Sequence, residues 1–194
     1  MGETKKNSKA TSILKNNPLT SIVKGNIGII VVLIIMCVAV AFATDKFLTT
    51  NNIISVLRQI SINTYIALGM TLIIILGHID LSVGSIVAMS GTLTVGFIVN
   101  QGLPLGVAIA AGLLVGTAAG FISGFIVANF KVPAFIITMA MMNIASGIAY
   151  VYTGGQSTRI TNKLFIEIGT GYLFNVIPLP VVYMVVLIIV FSFI

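Results

Sequence analysis

The residues able to do chemistry gather in one short stretch, Gly77-His78-Ile79-Asp80-Leu81-Ser82-Val83-Gly84-Ser85, set between two long apolar runs. Asp80 is the only carboxylate between Lys46 and Lys131. A charge at membrane depth is costly and needs a reason. Two roles are open to Asp80 and Ser82. Either can accept hydrogen bonds from the free N–H groups of the helix that begins at Val83, as an N-cap does. Or they line, with Ser85, a path for a polar solute. Gly77 and Gly84 allow the backbone to turn or to be approached closely. Histidine is the side chain suited to proton transfer near neutral pH, so a proton relay through His78 and Asp80, and with it a proton-coupled secondary transporter, is the alternative function. Against it, side chains at i and i+2 do not share a helix face, and no second intramembrane charge completes a relay.

Other polar groups recur at helical spacing. Ser55, Gln59 and Asn63 stand four residues apart, and Ala67 and Thr71 extend their face. A polar stripe on a spanning helix must meet other helices or a wet cavity rather than lipid. Both readings, bundle contact and solute-facing wall, stay open for Gln59 and Asn63. Arg58 beside them is expected to snorkel to the outer interface. Met139, Asn143, Ser146 and Tyr150 share a face on a later run. That face is either an inward wall or a place where Asn143 bonds to a neighbouring helix. Ala108, Gly112, Gly116, Gly120, Gly124 and Ala128 fall at every fourth position. Such a row makes a groove that admits a neighbouring backbone, and its reading is helix packing. Cys37 stands alone in an apolar run and is read as a small packing residue.

Enzyme chemistry finds no foothold. There is one His and one Cys, no Gly-x-Ser-x-Gly elbow and no His-Glu-x-x-His pair. No metal-ligand set, catalytic residue or bound cofactor is expected of this chain. The phosphate loop Gly-x-x-x-x-Gly-Lys-Ser/Thr is also missing, so energy from ATP would have to come from another subunit.

The elements that position these groups must be membrane helices. Of 194 residues, 58% are hydrophobic and 7% charged, where a soluble domain carries about a quarter charged residues. Mean hydropathy is +1.16. The net charge of +6 forms no basic stripe of the kind nucleic acid requires. Five of the ten basic residues, Lys5, Lys6, Lys9, Lys15 and Lys24, precede the first apolar run, which places the N-terminus in the cytoplasm. Residues 1–24 read as a basic cytoplasmic tail and 25–194 as a transmembrane domain. A cleaved signal peptide is the rival for the first run, because Ala41-Phe42-Ala43 mimics a cleavage site. Spans are expected over 25–44, 52–76, 83–99, 105–128, 133–152 and 180–194. The last is about 22 Å long, short of the roughly 30 Å hydrocarbon layer, and reads as broken off. The fold class is an all-α polytopic bundle of about six spans. Segment 153–177 reads as an outer loop with a short interfacial helix over 162–168. Its Arg159 and Lys163 are either solvated or set to face acidic residues on a partner.

The run Leu76-Gly77-His78-Ile79-Asp80-Leu81-Ser82-Val83-Gly84-Ser85 resembles the signature of the membrane subunits of bacterial ABC importers for ribose and related monosaccharides. Val132-Pro133-Ala134-Phe135-Ile136-Ile137-Thr138, Tyr152-Thr153-Gly154-Gly155-Gln156, and Gly171-Tyr172 with Ile177-Pro178-Leu179-Pro180 fit the same family in order and spacing. The likeness runs from about Phe47 to the C-terminus. It departs at His78, where the family commonly has a second glycine. The resemblance implies about ten spans in two related halves, of which this sequence holds the first. It also implies a separate ATP-binding cassette ATPase, an extracytoplasmic sugar-binding protein and a second permease copy as partners. Sugar choice would then rest largely with the binding protein.

Overall fold

A computed structural model describes residues 25–193; the expected tail over 1–24 lies outside them. The chain folds as two compact units divided between Ile54 and Ser55.

In the first unit, α1 spans Ile27–Ala43 and is apolar around its whole circumference, with no buried residue. That is the character of a helix solvated by lipid. The chain then turns. The Thr49 hydroxyl donates to the Lys46 carbonyl at 2.8 Å and Asn52 Nδ2 to the Phe47 carbonyl at 2.7 Å. These bonds set the start of α2, Thr50–Ile75, which runs on into the second unit.

The second unit continues with α3 (Val83–Val99), α4 (Leu105–Phe130) and α5 (Ala134–Thr153). Next come α6 (Lys163–Thr170), the two-residue strands β1 (Tyr172–Leu173) and β2 (Ile177–Pro178), and α7 (Leu179–Phe191). Helices α2, α4 and α5 are each long and apolar enough to cross a membrane, and α1, α3 and α7 are shorter apolar helices. The molecule is therefore an all-α bundle with at least three membrane-spanning helices. Its surface agrees: Leu113, Leu114, Phe121 and Val151 are all exposed, as side chains facing hydrocarbon are.

Helix α3 packs on both α4 and α5. Met89, Ala119, Met141 and Ala145 form the buried centre, with Ile86, Leu93, Val115 and Ala149 against it. Between apolar helices in lipid, close contact rather than water expulsion supplies the attraction, so small residues mark the interfaces. Gly112 of α4 lies against Thr94 and the Ser90 carbonyl of α3, and Gly116 against Ser90 Oγ. Gly96 of α3 makes room for the Tyr152 ring of α5. The second half of the small-residue row differs from expectation. Gly120 and Gly124 have nothing within 4 Å of where a Cβ would stand. A step of four residues drifts by about 40° per turn, so here the row has turned off the contact face toward a cleft, while Ala119 and Ser123 of the same helix stay buried.

Segment 153–177 also carries more structure than its reading as a loop with one short helix. Asn162 caps α6, its side chain accepting from the Phe165 N–H at 3.1 Å. β1 and β2 then pair antiparallel, Tyr172 opposite Pro178 and Leu173 opposite Ile177. Three residues, Phe174, Asn175 and Val176, connect the two strands; Phe174 and Asn175 adopt positive φ, 53° and 57°, and the Val176 N–H donates to the Leu173 carbonyl at 3.2 Å. The Leu179 N–H donates to the Gly171 carbonyl at 2.9 Å and closes the unit onto α7.

Candidate functional site

The turn between α2 and α3 is built by Gly77. Its φ of +76° lets the Gly77 N–H reach the Ile74 carbonyl at 2.9 Å and the His78 N–H reach the Ile73 carbonyl at 3.1 Å. This pair of bonds closes a helix C-terminus in the Schellman manner and satisfies two of its orphan carbonyls. The chain then reverses into Asp80. Asp80 Oδ1 accepts from the Ser82 N–H at 2.7 Å and from the Ser82 hydroxyl at 2.6 Å. Ser82 is the N-cap residue of α3 but makes no side-chain capping bond. So neither Asp80 nor Ser82 caps the first turn of α3, contrary to the N-cap expectation. The reason is competition: Asp80 folds the backbone back on Ser82 in a local side-chain turn, and the Ser82 hydroxyl is spent on that carboxylate. No hydrogen bond joins Asp80 to His78 among the described residues, and His78 is exposed. The proton-relay alternative finds no support in this geometry.

The turn forms one wall of a cleft of about 930 Å³. The other walls are Gly120, Gly124 and Ala128 of α4, Lys131 and Pro133 of the next link, and Thr138 of α5. Lys131 stands in the left-handed region at φ 54° as the C-cap of α4, a place glycine commonly fills. Pro133 precedes α5 as its N-cap residue rather than lying within its first turn. Thr138 Oγ1 bonds within its own helix, 3.3 Å from the Phe135 carbonyl, and reaches the Ile79 carbonyl at 3.5 Å.

The opposite end of the trio holds a second cavity of about 560 Å³. Thr92, Ser146, Tyr150, Thr153, Gln156, Ser157 and Thr158 supply its polar groups, and among the described residues no charged side chain lines it. The second glycine-closed turn shapes its rim. Gly154 and Gly155 have φ of 62° and 73°, and the Gly155 N–H donates to the Tyr150 carbonyl at 3.0 Å. Ser146 Oγ donates to Ser85 Oγ at 3.0 Å and ties α5 to α3 below this cavity.

The structure thus brings Asp80 to Ser82 and Ser85 to Ser146, and places Tyr150, 69% exposed, in the second cavity. It does not bring Asn143 to a neighbouring helix: Asn143 Nδ2 donates to the Met139 carbonyl of its own helix at 3.0 Å. Gln59 and Asn63 are exposed on α2, about 160° around the helix from Ser61 at 100° per residue. Ser61 is fully buried. Arg58 Nη2 donates at 2.5 Å to the carbonyl of Thr170, a residue of the segment read as the outer loop. Thr92, Gln156, Ser157 and Thr158 were not singled out by spacing. Gln156 sits within a recognisable motif, and the rest carry no periodic signal. Among the described residues no group of His, Cys, Asp and Glu could hold a metal.

Residues 52–194 match the family described as the permease component of the branched-chain amino acid transport system. The chain belongs to this permease family. The members of that family are described as permease components of transport systems. The chain is 42% identical over 155 residues to the ribose import permease protein of Haemophilus influenzae, covering 78% of this chain and 47% of the relative. It is 38% identical over 156 residues to the ribose import permease protein of Escherichia coli K12, covering 78% and 48%. Against the L-arabinose transporter permease protein of Azospirillum brasilense it is 33% identical over 145 residues, covering 74% and 42%. The permease chain spans about half the length of these relatives. No solved structure matches it.

Proposed function

We propose that this chain forms part of the permease subunit of an ATP-driven ABC importer for a ribose-like monosaccharide in the bacterial plasma membrane. The observation that carries the reading is the second cavity. Its polar lining is neutral hydroxyl and amide groups: Thr92, Ser146, Tyr150, Thr153, Gln156, Ser157 and Thr158. A sugar presents several hydroxyls and no charge, so its path needs neutral donors and acceptors over an apolar floor. The relatives named for ribose and arabinose support the same substrate class.

In this reading residues 1–24 are a cytoplasmic tail, supported by their lysines, and 25–194 belong to the transmembrane domain. The second cavity is then the outer vestibule and the Gly77–Ser85 turn lies inside. Gln59, Asn63, Asp80, Ser82, Ser85, Asn143 and Tyr150 contribute to the pathway or its walls. A separate ATPase, an extracytoplasmic sugar-binding protein and a second permease copy complete the transporter.

The test is uptake of radiolabelled ribose in cells that depend on this permease. Tyr150→Phe and Gln156→Ala each remove neutral hydrogen-bonding capacity worth about 0.5–1.5 kcal/mol. Transport is expected to fall by up to roughly tenfold while the amount of protein in the membrane is unchanged. Parental uptake in both variants would remove the second cavity from the pathway.

A further inference from the structure

Helix α2 is fastened to the segment that follows α5 along a single face. Arg58 Nη2 donates to the carbonyl of Thr170, the last residue of α6. The guanidinium carbon stands 5.0 Å from the centroid of the Tyr172 ring in β1. A cation at a helix C-terminus meets the negative end of its dipole and its unpaired carbonyls, and the aromatic face adds a second attraction. Lower on the helix, the Tyr65 hydroxyl donates to the carbonyl of Pro180 in the first turn of α7. Between these two points Ser61 is fully buried. Positions 58, 61 and 65 are spaced i, i+3, i+7 and share one side of α2. Gln59 and Asn63 are left on the other side.

We infer that Arg58 is a positioning residue: it locks the rotation of α2 against α6 and the β1–β2 hairpin, and so fixes where Gln59 and Asn63 point. An arginine inside a spanning helix requires compensation. Here a carbonyl and a ring supply it, though Nε stays buried without a partner. That unpaired atom marks a placement held by the surrounding contacts rather than by the side chain's own best solvation. Two fastening points on one face resist rotation where a single one would serve as a pivot. A push on α6 or the hairpin is therefore transmitted to the polar stripe on α2. The stripe's part in transport rests on the reading above; the lock itself does not.

The experiment measures distances between paired nitroxide labels on the full-length permease in lipid nanodiscs, in a Cys37→Ser background. One label pair, at positions 63 and 143, joins the stripe to α5; a control pair, at 113 and 143, joins α4 to α5. The parent is expected to give one narrow distance for each pair. Arg58→Ala and Tyr172→Leu should abolish the narrow 63–143 distance and leave 113–143 as it was. Arg58→Lys should give an intermediate result, because an ammonium keeps a carbonyl bond but loses the planar stack. A 63–143 distance unchanged in Arg58→Ala, or both pairs blurring together, overturns the inference. Should Arg58→Ala fail to accumulate, Tyr172→Leu and Arg58→Lys decide it by the same criteria. No sugar, ATPase or binding protein enters the measurement, so its failure and that of the transport reading are told apart.

Discussion

Gly112→Val abolishes or severely depresses the thermal stability of the purified chain in detergent, while Gly120→Val leaves it near the parental value. The two positions belong to one four-residue row, and sequence alone gives them the same role. The structure separates them. A Cβ at Gly112 would overlap Thr94 Oγ1 and stand 3.2 Å from the Ser90 carbonyl. Thr94 cannot simply swing away, because its hydroxyl donates to that same Ser90 carbonyl at 2.7 Å. Backbone is also the least yielding neighbour. Forcing valine there pushes α3 off α4, at an expected cost of about 3 kcal/mol, the upper end of ordinary overpacking. Gly120 faces the first cleft with no atom near its Cβ position, and valine adds apolar surface to an apolar wall. Equal losses at both positions would mean that the whole row is packed against something, and that it does not turn off the contact face at Gly120.

Asp80→Ala is expected to destabilise the chain by about 2–4 kcal/mol, with Asp80→Asn costing about 1 kcal/mol. Asp80 Oδ1 is the acceptor for both the N–H and the hydroxyl of Ser82, and Ser82 is 0% exposed. Alanine removes that acceptor and strands two donors away from water, each of which then costs its desolvation. Asparagine keeps an oxygen in the same place and loses only the contribution of charge. Denaturant or thermal unfolding of the three proteins in one detergent checks the order. Asparagine as damaging as alanine would show that the carboxylate's charge, not its hydrogen bonding to Ser82, is what the turn needs.

How much of this was legible in the sequence depends on how local each contact is. Helix α3 runs over Val83–Val99 as its apolar pattern indicates, because lipid demands unbroken apolar stretches and the turn residues beside them are glycine and aspartate. Long-range contacts left no such trace. Arg58 meets Thr170 and Tyr65 meets Pro180 across more than a hundred residues of chain, so the polar face of α2 was visible but the fastened face was not. The β1–β2 hairpin was hidden for another reason. Its turn places Phe174, 85% exposed, and Asn175 at positive φ, where the usual signal is glycine. Among the site residues, Asp80 and Ser82 stood out as a pair. Their bonding to each other, rather than to α3, follows from a side-chain geometry that spacing does not reveal.

In the proposed function a sugar crosses by a neutral path, energised from outside the bundle. The most direct test is ribose uptake through the complete transporter with ATP held constant and the proton gradient collapsed by a protonophore. Uptake that continues at the parental rate, and stops when the ATPase subunit is deleted, is the predicted result. Uptake abolished by the protonophore while ATP remains would contradict it and return His78 and Asp80 to the centre of the mechanism.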